Sequence, residues 1–137
     1  NIKKAYSVSP FVSSGSVSIS KADAEFLARL ERVINNNISN SEFNIDRMAF
    51  EMNMSRTSLN RKIRGTLDVS PNDYIKIERL KRAAQLLKAG KTKINEVCYR
   101  VGFSTPSYFT KCFYKQFGML PKDFLVQQKD EQNEFRE

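Results

Sequence analysis

The sequence predicts an all-α protein of about seven helices, in which two helix-turn-helix subdomains are bridged by a long linker helix. Apolar residues recur at spacings of three and four along most of the chain, which is the helical period. One segment also occurs twice, once on each side of residues 70–90. In each copy a residue that tolerates left-handed backbone separates two short amphipathic stretches, which is typical of a helix-turn-helix.

The chain opens with a Ser-rich segment, residues 1–20, which has no helical period and predicts a linker that follows an upstream domain. The sequence begins with Asn1 rather than Met, so we expect it to be part of a longer chain. The first helix is predicted over residues 20–39, where Ser20 is a candidate N-cap and Asp23 completes a capping box. Its buried stripe comprises Phe26, Leu27, Leu30, Val33, Ile34 and Ile38.

The first helix-turn-helix completes a subdomain at residues 21–69. Its two helices are predicted over residues 45–52 and 55–67, with Asn53 between them as the residue that accepts positive φ. The outward residues of the second helix include no carboxylate; they are Arg56, Thr57, Asn60, Arg61 and Arg64. Because a solvated helix face usually mixes both signs of charge, this face predicts a surface that meets phosphates and base edges.

Residues 70–90 predict the long linker helix. Ser70 is a candidate N-cap, Pro71 takes the first helical position, and Gly90 ends the helix. Its apolar stripe comprises Ile77, Leu80, Ala84 and Leu87. At about 1.5 Å per residue the helix is roughly 30 Å long, close to the roughly 34 Å of one B-DNA turn. A rigid connector of that length predicts two reading surfaces about one turn apart on one side of a duplex.

The second subdomain is placed at residues 91–128 and repeats the anatomy of the first. It has a short helix ahead of Gly102, a reading helix over residues 105–117, and a last short helix over residues 121 to about 128. The residues of the reading helix that are predicted to face inward are Phe109, Cys112, Phe113 and Phe117. Residues 129–137 are charged and predict a disordered tail.

Charge and composition narrow the function classes. The chain carries 23 Lys and Arg against 15 Asp and Glu, a formal net charge of +8, which favours a polyanionic partner. It contains no His, which excludes Ser-His-Asp and Cys-His catalysis and most zinc sites, so we predict no catalytic residue, metal site or cofactor. Cys98 and Cys112 fall on apolar helix faces and predict buried thiols in a reducing, cytoplasmic compartment. No apolar run reaches the roughly 20 residues of a membrane span, so we expect no membrane contact by this chain.

Two sets of exposed positions are the candidate DNA contacts. The reading helices offer Arg and Lys for guanine, Asn for adenine, and small hydroxyl or methyl groups for thymine. The predicted base contacts are Arg56, Thr57, Asn60, Arg61, Thr105, Pro106, Ser107, Thr110 and Lys111. The predicted phosphate contacts, which would fix the register on the duplex, are Ser55, Arg64, Lys91, Lys93, Tyr108 and Lys115.

Several short motifs then indicate a family. Those of the second copy are Gly102-Phe103, Ser107-Tyr108-Phe109, Phe113, Phe117-Gly118 and Pro121. Those of the first copy are Met54-Ser55-Arg56, Leu59 and Arg61, followed by the run RLKRAAQLL. Together, residues 43–128 resemble the DNA-binding domain of AraC-type transcription regulators. The resemblance implies two helix-turn-helix subdomains bridged by a long helix, binding adjacent major grooves of double-stranded DNA through the exposed residues of both reading helices.

Residues 23–63 further resemble the output domain of hybrid two-component regulators, in which a sensor histidine kinase, a receiver and this domain share one chain. The resemblance implies a receiver upstream of residues 1–20, a phosphorelay that controls polysaccharide-utilisation genes, a dimeric full-length form, and RNA polymerase as a further partner. Asn53 and Asp68 stand where the family usually has Gly, but both residue types tolerate left-handed backbone. Pro106 and Ser107 occupy positions where other members have longer polar residues. This difference would shift or weaken the reading of bases by the second reading helix.

Two other classes of binder are compatible with the sequence. The alternative to a sequence-specific regulator is a basic helical protein-interaction module that docks an acidic partner, and binding to duplex DNA at moderate salt separates the two. RNA binding has less support, because RNA readers mostly use aromatic stacking platforms and the aromatics here fall on core-facing positions, with Tyr108 and Tyr114 as exceptions. An enzyme is disfavoured, since the repeated Asp73 and Asp123 each lie at a helix start, where capping explains them.

Overall fold

The computed structural model describes residues 19–90 and 93–134, with side chains as far as residue 128. The described residues form seven α-helices and no strand, which confirms the predicted all-α class. In chain order the helices are α1 Lys21–Asn36, α2 Ile45–Glu51, α3 Arg56–Leu67, α4 Pro71–Ala89, α5 Ile94–Arg100, α6 Pro106–Phe117 and α7 Pro121–Glu134.

The chain divides into two compact units, one of Asn1–Ile38 and Glu42–Glu78 and one of Ser39–Ser41 and Arg79–Glu137. The division falls between Glu78 and Arg79, inside α4, which is the helix predicted over residues 70–90. Helix α4 buries more residues than the one predicted apolar stripe. Its buried residues are Pro71, Tyr74, Ile75, Ile77, Glu78, Arg79, Leu80, Ala83, Ala84 and Leu87.

The core of the first unit is built from α1, α2, α3 and the start of α4. Apolar residues three and four positions apart place one face of each helix inward. The side chains with no exposed surface in this core are Leu30, Ile34, Met48, Leu59, Ile63 and Leu67, each at 0%. The predicted N-cap of α1 is confirmed, because Ser20 Oγ accepts a hydrogen bond from the Asp23 N–H at 3.1 Å.

The core of the second unit contains a cluster of phenylalanine rings around α6. The Phe103 and Phe109 ring centroids lie 5.2 Å apart, and those of Phe109 and Phe113 lie 5.8 Å apart. Phe113 also meets Phe117 at 4.6 Å and Phe124 at 5.7 Å, both edge to face. Such pairs stabilise a core beyond the area that they bury. Phe117, predicted to face inward, is only half-buried because it lies in the last turn of α6.

The last helix is longer than the sequence pattern predicts. Disorder is predicted from Lys129, but the backbone of α7 is helical as far as Glu134. The physical reason is that no Gly or Pro follows Pro121 in this helix, while Lys, Glu and Gln are all favourable helix residues. Most of the predicted linker at residues 1–20, and the tail beyond Glu134, lie outside the described residues.

Neither a membrane span nor a metal cluster is found in the part of the chain that the structure describes. None of its helices is both long enough and apolar enough to cross a bilayer. Within the same residues, no three His, Cys, Asp or Glu side chains are grouped so that they could hold a metal ion.

Candidate nucleic-acid interface

The turn of the first helix-turn-helix connects α2 to α3. Asn53 has φ of 57°, so the predicted left-handed residue is confirmed at this position. The next N–H, that of Met54, donates to the Ala49 carbonyl at 3.0 Å. Asparagine accepts this conformation because its short polar side chain is among the few that tolerate it. The left-handed residue and this hydrogen bond therefore define the short connection from α2 to α3.

The orientation of α3 is set from its buried side. Ser55 is its N-cap, and its Oγ accepts from the Ser58 N–H at 3.1 Å. Leu59, Ile63 and Leu67 are each fully buried at 0%. Because these three lie on one face, the positions between them project away from the core. The first turn of α3 also contains no acidic residue, which favours an anion at this helix start.

The outward side of α3 carries the predicted contacts of the first copy. Arg56, Thr57, Arg61 and Arg64 are exposed, and Asn60 is half-buried. Arg64 Nε donates to Asn60 Oδ1 at 2.9 Å, one helical turn away. The two side chains are therefore one hydrogen-bonded pair, in which the amide oxygen accepts from Arg64 and the amide nitrogen remains a donor.

The outward side of α3 carries no carboxylate of its own, but one from a neighbouring helix reaches it. Asp46 at the start of α2 places its Oδ1 3.5 Å from Arg56 Nη1. Both side chains are about two-thirds exposed, at 67% for Arg56 and 66% for Asp46. An ion pair so exposed is weak, so a DNA phosphate or a guanine edge would compete for Arg56. The sequence missed the contact because Asp46 belongs to a different helix.

The turn of the second copy has the same backbone geometry. Gly102 has φ of 91°, and the Phe103 N–H donates to the Cys98 carbonyl at 3.0 Å. The Cys98 thiol donates back to the Phe103 carbonyl at 3.9 Å, and burial raises the pKa of this thiol. The predicted burial of both cysteines is confirmed, and Cys98 and Cys112 are free thiols.

The second reading helix, α6, is held in the same way as α3. Thr105 is its N-cap and accepts from the Tyr108 N–H at 3.4 Å, with Pro106 in the first turn. Phe109 and Phe113 are fully buried at 0%, which directs the opposite side outward. The predicted contacts that are exposed are Lys93, Thr105, Ser107, Tyr108, Lys111 and Lys115, while Pro106 and Thr110 are half-buried. Lys91 lies outside the described residues.

Two arginines that were not predicted from the sequence contact the turns. Arg29 on α1 donates from Nη2 to the Met52 carbonyl at 2.9 Å. Arg79 on α4 donates from Nη1 to the carbonyls of Val101, at 3.4 Å, and Gly102. A sequence signal for both exists, since the pattern Arg-Leu-x-Arg begins at each of these arginines.

Exposed aromatic side chains are more numerous than the sequence predicts. Phe50 on α2 is 76% exposed and Tyr99 on α5 is 53% exposed, in addition to Tyr108 and Tyr114. Phe50 and Tyr99 occupy equivalent positions of the repeat. The Arg47 guanidinium lies 5.6 Å from the Phe50 ring centroid, within cation–π range. These positions were missed because the buried stripe of so short a helix is defined by few residues.

Comparison with known proteins agrees with this geometry. A profile of the family described as a helix-turn-helix domain matches residues 48–127. Histidine kinase P4 of Formosa agariphila is 35% identical over 123 residues, which are 90% of this chain but only 9% of the kinase. The chain thus spans about a tenth of the length of that relative.

Two solved structures share the fold over most of the chain. A DNA-binding transcriptional dual regulator of Escherichia coli K-12 superposes with a TM-score of 0.69 at 31% identity, over 74% of this chain and 90% of that one. A transcriptional regulator of Chromobacterium violaceum, described as AraC-type, superposes with a TM-score of 0.72 at 25% identity, over 80% of this chain and 96% of that one.

Proposed function

The chain belongs to the AraC-type family of helix-turn-helix DNA-binding transcription regulators, and from this we propose that it reads a specific duplex sequence through α3 and α6. The family is one of DNA-binding regulators rather than enzymes. Each reading helix follows a left-handed turn, begins at a hydroxyl N-cap and buries one apolar side. Such a helix fits the major groove, where each base pair presents a distinct pattern of donors and acceptors.

One observation carries the proposal: α3 holds Thr57 and Arg61 exposed, and Asn60 half-buried, on the side opposite its fully buried Leu59 and Ile63. A guanidinium pairs with guanine O6 and N7, an amide with adenine, and a methyl or hydroxyl with thymine. These are the residue types that direct readout requires, displayed together on a helix whose backbone is fixed from behind.

We assign the contacts residue by residue. Base contacts on the two helices are Arg56, Thr57, Asn60, Arg61, Thr105, Pro106, Ser107, Thr110 and Lys111. Phosphate contacts are Ser55, Arg64, Lys91, Lys93, Tyr108 and Lys115. Support comes from the exposure of most of these side chains where they are described, with Asn60, Pro106 and Thr110 half-buried, and from the match between their residue types and base or phosphate edges.

We further propose that α3 and α6 enter adjacent major grooves. The helix between the two copies is continuous over 19 residues, roughly 28 Å at about 1.5 Å per residue. That length is comparable to the roughly 34 Å of one turn of B-DNA. The proposal therefore predicts a footprint of two contacted half-sites separated by about one helical turn.

We also propose that this domain is the output of a hybrid two-component regulator, controlling polysaccharide-utilisation genes. The match to a histidine kinase over 90% of this chain supports such a context, as does the resemblance of residues 23–63. The proposal includes a receiver upstream in the same chain, a dimeric full-length form acting in the cytoplasm, and contact with RNA polymerase.

Selection of duplexes from a random pool, followed by titration at several salt concentrations, tests the DNA-binding proposal. We expect one enriched sequence, and an affinity that falls steeply with salt, by a slope of roughly −0.9 per phosphate neutralised. Equal affinity for every duplex at fixed salt would overturn sequence-specific reading. Little binding to any duplex at moderate salt would favour the protein-interaction module instead.

Single variants separate base contacts from phosphate contacts. Arg61→Ala or Asn60→Ala should lose about 1–3 kcal/mol of binding free energy at particular base pairs, because each removes a base-edge partner. Lys115→Ala should weaken binding to all sequences alike and reduce the salt slope by about one. Lys21→Ala, which removes one exposed charge from α1, is the matched control and should change neither property.

The gene class is tested separately in cells that contain the full-length regulator. Immunoprecipitation of its chromatin should enrich promoters of polysaccharide-degrading genes when cells grow on a polysaccharide. Enrichment of unrelated promoters would overturn the gene class while leaving the DNA-binding proposal intact.

A further inference from the structure

Each helix-turn-helix receives an arginine from the helix that precedes it. On α1, Arg29 Nη2 lies 2.9 Å from the Met52 carbonyl oxygen. On α4, Arg79 Nη1 lies 3.4 Å from the Val101 carbonyl oxygen. Met52 and Val101 are equivalent residues of the repeat, each just beyond the first helix of its copy. The repeat therefore extends to α1 and α4, and the arginine contact belongs to the repeated unit.

The chemistry of a helix end explains why an arginine lies there. The last carbonyls of a helix lack partners within it and carry the negative end of the helix dipole. A guanidinium is a permanent cation with a planar set of N–H donors, so it can satisfy several carbonyls at once. Charge-assisted hydrogen bonds of this kind are roughly twice as strong as those between neutral groups.

The two copies use the arginine to different extents. Arg29 is exposed and donates to one carbonyl. Arg79 is 6% exposed and donates to three, those of Val101, Gly102 and, through Nη2 at 2.9 Å, Asn40. Burial lowers the pKa of the Arg79 guanidinium, but its ordinary pKa is so high that the charge is kept.

We propose that Arg79 is the positioning residue for the second reading helix. Its guanidinium ties the α5–α6 turn to α4 and to the Ser39–Ser41 loop, and so sets the angle at which α6 leaves the turn. Arg29 has the same role for α3 but a smaller effect, since it holds a single carbonyl from an exposed position. The inference rests on the proposed function, because a positioned α6 matters only if it reads DNA.

Two readouts test the proposal in the variants Arg79→Met, Arg79→Lys and Arg29→Met. The first is hydrogen exchange of the Gly102 and Phe103 amides, which donate to the carbonyls of Tyr99 at 3.1 Å and Cys98 at 3.0 Å. In Arg79→Met we expect these amides to exchange roughly tenfold faster or more, because three carbonyls lose a charged donor and the turn opens more often. The Met54 amide of the other copy is the internal reference and should be unchanged.

The second readout is base preference, measured position by position on the selected duplex. Arg79→Met should flatten the preference in the half-site read by α6 and leave the α3 half-site unchanged. Arg79→Lys keeps a cation but loses the planar set of guanidinium donors. Its amide exchange and its base preference should therefore lie between those of the unmodified chain and those of Arg79→Met. Arg29→Met should produce a smaller change, confined to the α3 half-site. A purely structural role would instead weaken both half-sites together.

The outcomes are distinguishable. If Arg79→Met does not fold, Arg79→Lys alone carries the test. Wild-type exchange at Gly102 and Phe103 in the folded variant, or equal flattening of both half-sites, overturns the role of Arg79. If the unmodified chain shows no sequence preference, the proposed function fails, while the exchange measurement still decides whether Arg79 holds the turn.

Discussion

The buried apolar residues of α3 are aliphatic, whereas those of α6 include two phenylalanines. Leu59 and Ile63 of α3 are replaced at the equivalent positions of α6 by Phe109 and Phe113, and all four are fully buried at 0%. Both copies nevertheless form the same helix-turn-helix. The comparison teaches that the fold requires apolar volume at these positions and that the identity of the side chain is adjustable, provided that the neighbouring packing adjusts with it.

The backbone positions that permit no such freedom are the left-handed ones. Asn53 and Gly102 take φ of 57° and 91°, and Asp68 and Gly118 take φ of 61° and 75°. Asp68 and Gly118 also make the same bond, since each donates its N–H to the carbonyl four residues earlier, at 3.0 Å and 2.8 Å. These positions accept only residues that tolerate left-handed backbone, which is why Asn and Asp can replace the usual Gly.

The outward sides differ more than the cores do. Arg61 of α3 corresponds to Lys111 of α6, and Asn60 corresponds to Thr110. Arg56 and Arg64 correspond to Pro106 and Tyr114, neither of which is charged. Arginine reads guanine with two hydrogen bonds from a planar fork, while lysine offers a point charge. We therefore expect α3 to supply most of the base discrimination.

The largest effect should come from the cores. Phe113→Ala should lower the free energy of unfolding by about 4 kcal/mol and Ile63→Ala by about 3 kcal/mol, because the lost ring leaves the larger cavity. Urea unfolding measures both. Val126→Ala, at a position 57% exposed, is the control and should change stability by less than about 0.5 kcal/mol. A larger loss for Ile63→Ala would contradict the expectation that the lost ring leaves the larger cavity.

The second largest effect should be a difference between the two reading helices in the binding free energy that a substitution removes. Arg61→Ala should lose about 1–3 kcal/mol of binding free energy at the base pair that it contacts, and Lys111→Ala about 1 kcal/mol or less. Competition titrations with duplexes altered at single base pairs measure both. Equal losses, or a larger loss for Lys111→Ala, would contradict the expectation that α3 dominates discrimination.

The turns should show the smallest effect. Gly102→Ala should lower the free energy of unfolding by about 1–2 kcal/mol, because an alanine at positive φ brings its Cβ too close to the backbone. Asn53→Gly should change it by less than about 0.5 kcal/mol, since glycine adopts the same conformation without strain. Thermal unfolding followed by circular dichroism compares the two variants. A tolerated alanine at Gly102 would contradict the expected strain of a Cβ at this positive φ.

Much of the local structure was predictable from the sequence. Helical periodicity located all seven described helices, and the N-caps Ser20, Ser55 and Ser70 each accept the predicted hydrogen bond, at 3.1 Å in every case. The repeat located both turns and the left-handed Asn53 and Gly102. These features were accessible because capping, periodicity and backbone sterics act between residues that are at most a few positions apart.

Only the tertiary structure decided which residues far apart in the chain contact one another. Arg79 reads as one more basic residue on a helix, yet its partners lie 22, 23 and 39 positions away and bury it. In the same way, Asp46 reaches Arg56 from a neighbouring helix. A sequence shows which residues carry donors and charges, but which of them meet depends on how the helices pack, and packing is set by the whole core at once.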